Sequence, residues 1–135
     1  MLVLKDRQGS VSTWRSCNDP SGVAVDSERG FVFVACSDHV IVLDTAHSGR
    51  VVGSIVAGVG VDNIDYADDT GLLYVAAAEA AQLTVARIDD KGTPTPVVRV
   101  PTTKGARSAV AGASGRAYLI DPFGGHILKV ELSSK

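Results

Sequence analysis

Short apolar runs separated by polar, glycine-bearing turns fill this chain, and three of those runs begin alike. G-F-V-F-V-A (Gly30 to Ala35), G-L-L-Y-V-A (Gly71 to Ala76) and G-R-A-Y-L-I (Gly115 to Ile120) each follow a shorter apolar run and a turn. Their glycines are 41 and 44 residues apart (30 to 71, 71 to 115). A repeat of about 40–45 residues suits a sheet of four short strands, which buries its faces only by stacking on its neighbours.

The first unit shows how the pattern becomes strands. In Gly22-Val23-Ala24-Val25-Asp26, Val23 and Val25 share one face of a strand. Ser27 to Gly30 is a turn ending in glycine, and Phe31 to Cys36 is a nearly continuous apolar strand. Continuous burial of that kind is expected where both faces of a sheet are covered. Ser37 to His39 turns the chain, Val40 to Leu43 is a third strand, and Arg50 to Val56 a fourth after the turn Asp44 to Gly49.

The second unit repeats this, with Ile64 and Tyr66 in the places of Val23 and Val25, Leu83 to Ile88 as third strand and Val97 to Val100 as outer strand. The turn before that outer strand includes Pro94 and Pro96, which an edge position tolerates. The third unit has strands at Ser108 to Ala111, Arg116 to Ile120 and Ile127 to Leu132, and no fourth. The beginning supplies the complement: Leu2 to Leu4 as the end of a third strand, Lys5 to Gly9 as a turn, and Ser10 to Ser16 as a fourth strand. The predicted organisation is therefore all-β. Residues 1–16 end one sheet, 20–56 and 61–100 are complete sheets, and 106–132 is a sheet lacking its fourth strand. Ala76 to Ala81 is the one run with strong helical propensity, and it is too short to stand alone.

At these residues the chain resembles the YVTN-type β-propeller repeat family, whose unit reads approximately P-x-G-V-A-V-D, then V-Y-V-T-N, then I-D-T-A-T-G-K-V-V. Pro20 to Asp26 (P-S-G-V-A-V-D) and Val42 to Val52 (V-L-D-T-A-H-S-G-R-V-V) carry the likeness, and the aromatic position falls on Phe33, Tyr74 and Tyr118. Ala35-Cys36, Ala76-Ala77 and Ile120-Asp121 stand where the family has Thr-Asn. The resemblance implies four-stranded blades in a ring of about six to eight. It leaves function open, since its members include surface-layer proteins, electron-transfer accessories and lactonase-like proteins.

Three blades alone would leave two apolar faces in water. The expectation is a homodimer closing a six-bladed ring about a two-fold axis, with Ser10 to Ser16 of one chain completing the last blade of the other. Trp14 would lie beside that junction, and the interface would exceed about 2,000 Å².

Composition narrows the partners. Hydrophobic residues are 45%, charged residues 21% and the net charge −2, so the chain is globular and has no electrostatic case for nucleic acid. Its basic residues are too scattered for a membrane surface, and Met1 to Gly9 has no apolar stretch of signal-peptide length. As written the chain is expected in the cytoplasm, or outside it if it is a piece of a longer secreted protein. Cys17 and Cys36 are expected as two buried free thiols, with a bridge or a reactive site as the alternatives.

In such a ring the loops entering the first strand of each blade, and those between second and third strands, share one face. That face would hold Asp38, His39, Asp62, Asn63, Glu79, Arg107 and His126, with Asp62, Asn63 and Arg107 nearest the channel mouth. Asp62 and Asn63, with Glu79 or Asp121, are oxygen ligands of the kind calcium or another divalent cation takes. Asp and Asn are also ordinary turn formers, and that is the preferred reading. His39 and His126 could serve as bases, or simply as solvated turn residues. Arg107 could hold an anion or, with more weight, pair with an Asp of the neighbouring blade. No G-x-S-x-G elbow or H-E-x-x-H motif occurs. The leading expectation is a non-catalytic binding or scaffold module for an unknown protein or small molecule, without a cofactor. The alternative is a metal-assisted hydrolase of lactonase type with a cation at the channel mouth.

Overall fold

The computed structural model describes residues 9–133. Eleven strands form three antiparallel sheets, each a simple meander. The first holds β1 (Gly22–Asp26), β2 (Phe31–Ala35), β3 (His39–Asp44) and β4 (Arg50–Val56); the second β5 (Val61–Ala67), β6 (Leu72–Ala77), β7 (Gln82–Ile88) and β8 (Pro94–Pro101). The third holds β9 (Arg107–Ala111), β10 (Arg116–Asp121) and β11 (His126–Glu131). Among the described residues the one helical element is a three-residue 3-10 turn, Thr45–His47, capped by the Asp44 carboxylate, which accepts from the Ala46 amide.

The hairpin glycine of the repeat is a backbone requirement. Gly30, Gly71 and Gly115 sit at φ +75°, +71° and +78°, a left-handed conformation that a Cβ disfavours. Gly30 and Gly71 donate back to Asp26 and Ala67 and close the turns.

Alternation along the second strand of each sheet builds two separate cores. From β6, Leu73, Val75 and Ala77 join Phe31, Phe33, Val40 and Val42 of the first sheet. Leu72, Tyr74 and Ala76 join Ala109, Ala117 and Leu119 of the third. Successive side chains on a strand point to opposite faces, so a strand packed on both sides must be apolar throughout. Gly22 marks the closest approach of the inner strands, since a Cβ there would lie 2.3 Å from the Asp62 carbonyl oxygen.

Three readings change. Cys17 and Cys36 are joined in a disulfide, so they are not free thiols. Their separation of 19 residues hid the pairing, because only the fold brings the segment before β1 back over the end of β2. Ser10–Ser16 forms no strand in the single chain; this segment is tied to the first sheet by Cys17 at its end and by the Trp14 ring, which packs against Gly49. Pro94 and Pro96 belong to β8 and not to the turn, since β8 lies at the outer edge of its sheet. Residues 2–4, read as the end of a third strand, lie outside the described residues.

Cys17 packs on a small core of Val34, Cys36, Ile41 and Leu43 that faces away from the second sheet. Reducing the bridge should release that cover and lower stability by about 2 kcal/mol, the low end for such a cross-link. A thermal melt with and without a dithiol reductant measures it, with the Cys17→Ser chain as the insensitive control.

Candidate functional site

The loops entering β5 and β9 meet the β2–β3 and β6–β7 loops at one end of the sheets, where backbone hydrogen bonds link them. Gly60 and Val61 donate to the Ser37 carbonyl, Ala78 donates to Gly60, and Gly105 donates to Ala78. The Ser21 hydroxyl donates to the Asp62 carbonyl at 3.0 Å, fixing the first sheet to the same rim. These bonds hold open a cleft of about 280 Å³ lined by Gly60, Val61, Asp62, Ala78, Glu79 and Arg107. A second cleft of about 150 Å³ shares Ala78, Glu79 and Arg107 and adds Lys104, Gly105 and Phe123.

Of the residues singled out in the sequence, Asp62, Glu79 and Arg107 line this cleft. Asn63 lies beside it in sequence but turns to β9, its amide donating to the Ser108 hydroxyl at 3.5 Å. Arg107 donates to the Gly105 carbonyl at 3.2 Å and makes no ion pair among the described residues, contrary to the pairing expected for it. Asp38 and His39 pair with each other at 2.6 Å on their own loop. His126 stands 3.6 Å from Asp121, whose carboxylate also accepts from the Gly124 amide. The Gly124 amide opposes the desolvation of Asp121 and holds its carboxyl below the usual range, together with Thr103 and His126. Asp121 is thereby engaged in its own turn and does not line the cleft that holds Asp62. No three His, Cys, Asp or Glu side chains come together in metal-binding geometry among the described residues.

Phe123 escaped sequence reasoning. It is 80% exposed in the Pro-Phe-Gly-Gly turn, and its ring lies against Gly105 at the second cleft. The signal was an aromatic residue in a turn, where polar residues are usual.

The opposite end of the sheets carries a buried ionic cluster. Asp26, 3% exposed, accepts from Arg29 Nε at 2.7 Å and from the Tyr66 hydroxyl at 3.1 Å. Arg29 also donates to the Tyr66 hydroxyl, to the Ile88 carbonyl and to Asp90, and its guanidinium lies over the Phe31 ring. Burial acts to raise the pKa of Asp26, but the bonds from Arg29 and Tyr66 outweigh it and hold the carboxyl below its ordinary 3.8. The cluster ties the first sheet to the second, so its chemistry is structural. Its sequence signal was Tyr66, a hydroxyl at the position Val25 occupies one repeat earlier.

No family model matches the chain, and no curated protein matches it in sequence. Solved structures do. Over 82% of this chain it is similar to Sqt1 of Saccharomyces cerevisiae (TM-score 0.61, 11% identity), and over 90% to a streptogramin B lyase (0.61, 18%). Hydrazine synthase of Kuenenia stuttgartiensis is similar over 93% (0.55, 17%). The chain spans 34%, 44% and 40% of those three proteins. Sqt1 and the lyase are β-propellers, and the sheets described above are propeller-like blades. Neighbours as different as Sqt1, a streptogramin B lyase and a hydrazine synthase share it, so the likeness defines the fold and not the activity. No helix among the described residues is long and apolar enough to cross a membrane.

Proposed function

We propose that this chain is a non-catalytic binding module of YVTN-type propeller blades that presents the Asp62–Glu79–Arg107 cleft to its ligand. The observation that carries the reading is the composition of the cleft. It offers two carboxylates and a guanidinium but no hydroxyl, thiol or imidazole among its lining residues. Acyl transfer needs a nucleophile, a base and an orienting group in mutual reach. The three histidines each stand beside an aspartate and line no part of this cleft (His39 with Asp38, His47 with Asp44, His126 with Asp121). Opposed charges on one rim suit a ligand carrying both an anionic and a cationic group, held by Arg107 and by the carboxylates.

The disulfide supports an oxidising compartment as the place of work, because such bridges persist outside the reducing cytosol.

The competing reading is a cation at Asp62 and Glu79 assisting lactone hydrolysis. A lactonase assay with added calcium or zinc separates the two: no turnover is expected. Turnover that disappears in Asp62→Ala would overturn the binding reading. For binding itself, a thermal-shift screen with free amino acids as zwitterionic probes should find stabilisation that Arg107→Ala abolishes.

A further inference from the structure

The Asp62–Glu79–Arg107 cleft continues toward the third blade, and its continuation narrows the ligand. The second cleft shares Glu79 and Arg107 with it and ends at Lys104 and Phe123. Two carboxylates and two cations thus line one depression. Among the described residues, none of the four lies within ion-pair distance of another or of any other charge. Arg107 engages only its Nε with the protein, donating to the Gly105 carbonyl, so its terminal nitrogens are left for a ligand. Opposite charges that share a cleft yet stand apart leave room for a molecule bearing both signs.

Phe123 supplies the third element. Its ring meets the Gly105 backbone along the Cδ2–Cε2 edge, where a Cβ on residue 105 would collide with it, and the side chain is otherwise open to solvent. That exposure belongs to the position. Asp38 and Glu79 stand at the corresponding places in the first and second blades, at spacings of 41 and 44 residues (38 to 79, 79 to 123). Both are exposed although a further blade follows each, so this position faces solvent within a stack of blades. Polar residues are the ordinary choice in such a turn, whereas a phenyl ring there presents a planar apolar surface to water unless a ligand covers it.

We infer that the ligand is a free aromatic α-amino acid, an inference that rests on the binding reading above. Its carboxylate lies between Arg107 and Lys104, its ammonium points toward Asp62 and Glu79, and its ring stacks on Phe123. The distribution of lining residues fits this arrangement. Asp62 belongs to the first cleft, Lys104 and Phe123 to the second, and Arg107 and Glu79 to both. The two charged groups of an α-amino acid sit on one carbon, so they meet at the shared wall, and the side chain leaves that carbon toward Phe123. Between the two ends lie Ala78 and Gly105, both buried and too small to obstruct the path. Charge-assisted hydrogen bonds orient the head group. Aromatic pairing then selects the side chain beyond what its bulk alone would give.

Isothermal titration calorimetry of the intact chain with phenylalanine, tyrosine, leucine and alanine, and with N-acetylphenylalanine, tests this. Phenylalanine and tyrosine should bind about tenfold more tightly than leucine. N-acetylphenylalanine, which lacks the ammonium, should bind at least about tenfold more weakly than phenylalanine. Phe123→Ala should erase the aromatic preference while leaving alanine binding and the unliganded melting temperature unchanged, as its exposed side chain allows. Equal affinities across the four amino acids, or a Phe123→Ala chain that keeps the aromatic preference, overturn this inference and leave the binding reading standing. N-acetylphenylalanine binding as tightly as phenylalanine overturns it as well, in favour of a simple aromatic acid. No binding of any amino acid overturns both.

Discussion

Truncation of Phe33 to alanine should destabilise the chain by about 3–5 kcal/mol, a large share of the 5–15 kcal/mol typical of a domain. Phe33 is fully buried on β2, and its ring stacks on Tyr66 of the next blade at 5.1 Å between centroids. Removing it opens a cavity between two sheets joined there by Val40, Val42, Leu73 and Val75. Rigid backbones on both sides limit collapse, so the cavity term adds to the lost transfer energy. Phe33→Leu, which keeps most of the volume, should cost about 1 kcal/mol. Urea unfolding reads both, as a lower midpoint at an unchanged slope. An alanine cost close to the leucine cost would mean that the first and second blades are not packed through this residue.

The second large effect is at the other end of the same interface. Asp26→Ala should cost about 2–3 kcal/mol at neutral pH, less than a wholly buried pair because Arg29 keeps a quarter of its exposure. The substitution leaves Arg29 and the Tyr66 hydroxyl without their shared acceptor. The pH dependence follows from the depressed carboxyl. Asp26 binds its proton more weakly folded than unfolded, so its contribution is full above its ordinary 3.8 and is lost as pH falls through the lower folded value. The stability difference between the intact chain and Asp26→Asn should thus be constant near neutrality and shrink toward acid. Melting temperatures of the two proteins across that range measure it. A difference that widened in acid would contradict the network.

The strands and their grouping into units could be read from the sequence because the forces that set them are local. Alternation puts Val23 and Val25 on one face, glycine permits the positive φ at Gly30, Gly71 and Gly115, and doubly covered strands such as Leu72–Ala77 must be apolar throughout. The gathering of Asp62 and Arg107 was legible in part, since both follow loops that enter inner strands. The particular partners were not. Whether Arg107 meets a carboxylate or its neighbour's carbonyl depends on a rotamer in a cleft bounded by three loops. Cys17 reaches Cys36, Arg29 reaches Tyr66 and Asp90, and Asp65 accepts from the Ala111 amide across 46 residues of chain. The bridge depends on how the segment before β1 folds back over its own sheet, and the other contacts join elements whose separation is decided by how one sheet stacks on the next. By itself the sequence determined strands, turns and their period, which need only neighbours along the chain. Only the tertiary structure decided the bridge, the ionic cluster and the cleft, because they depend on how a segment folds back over its own sheet and on the distance between blades.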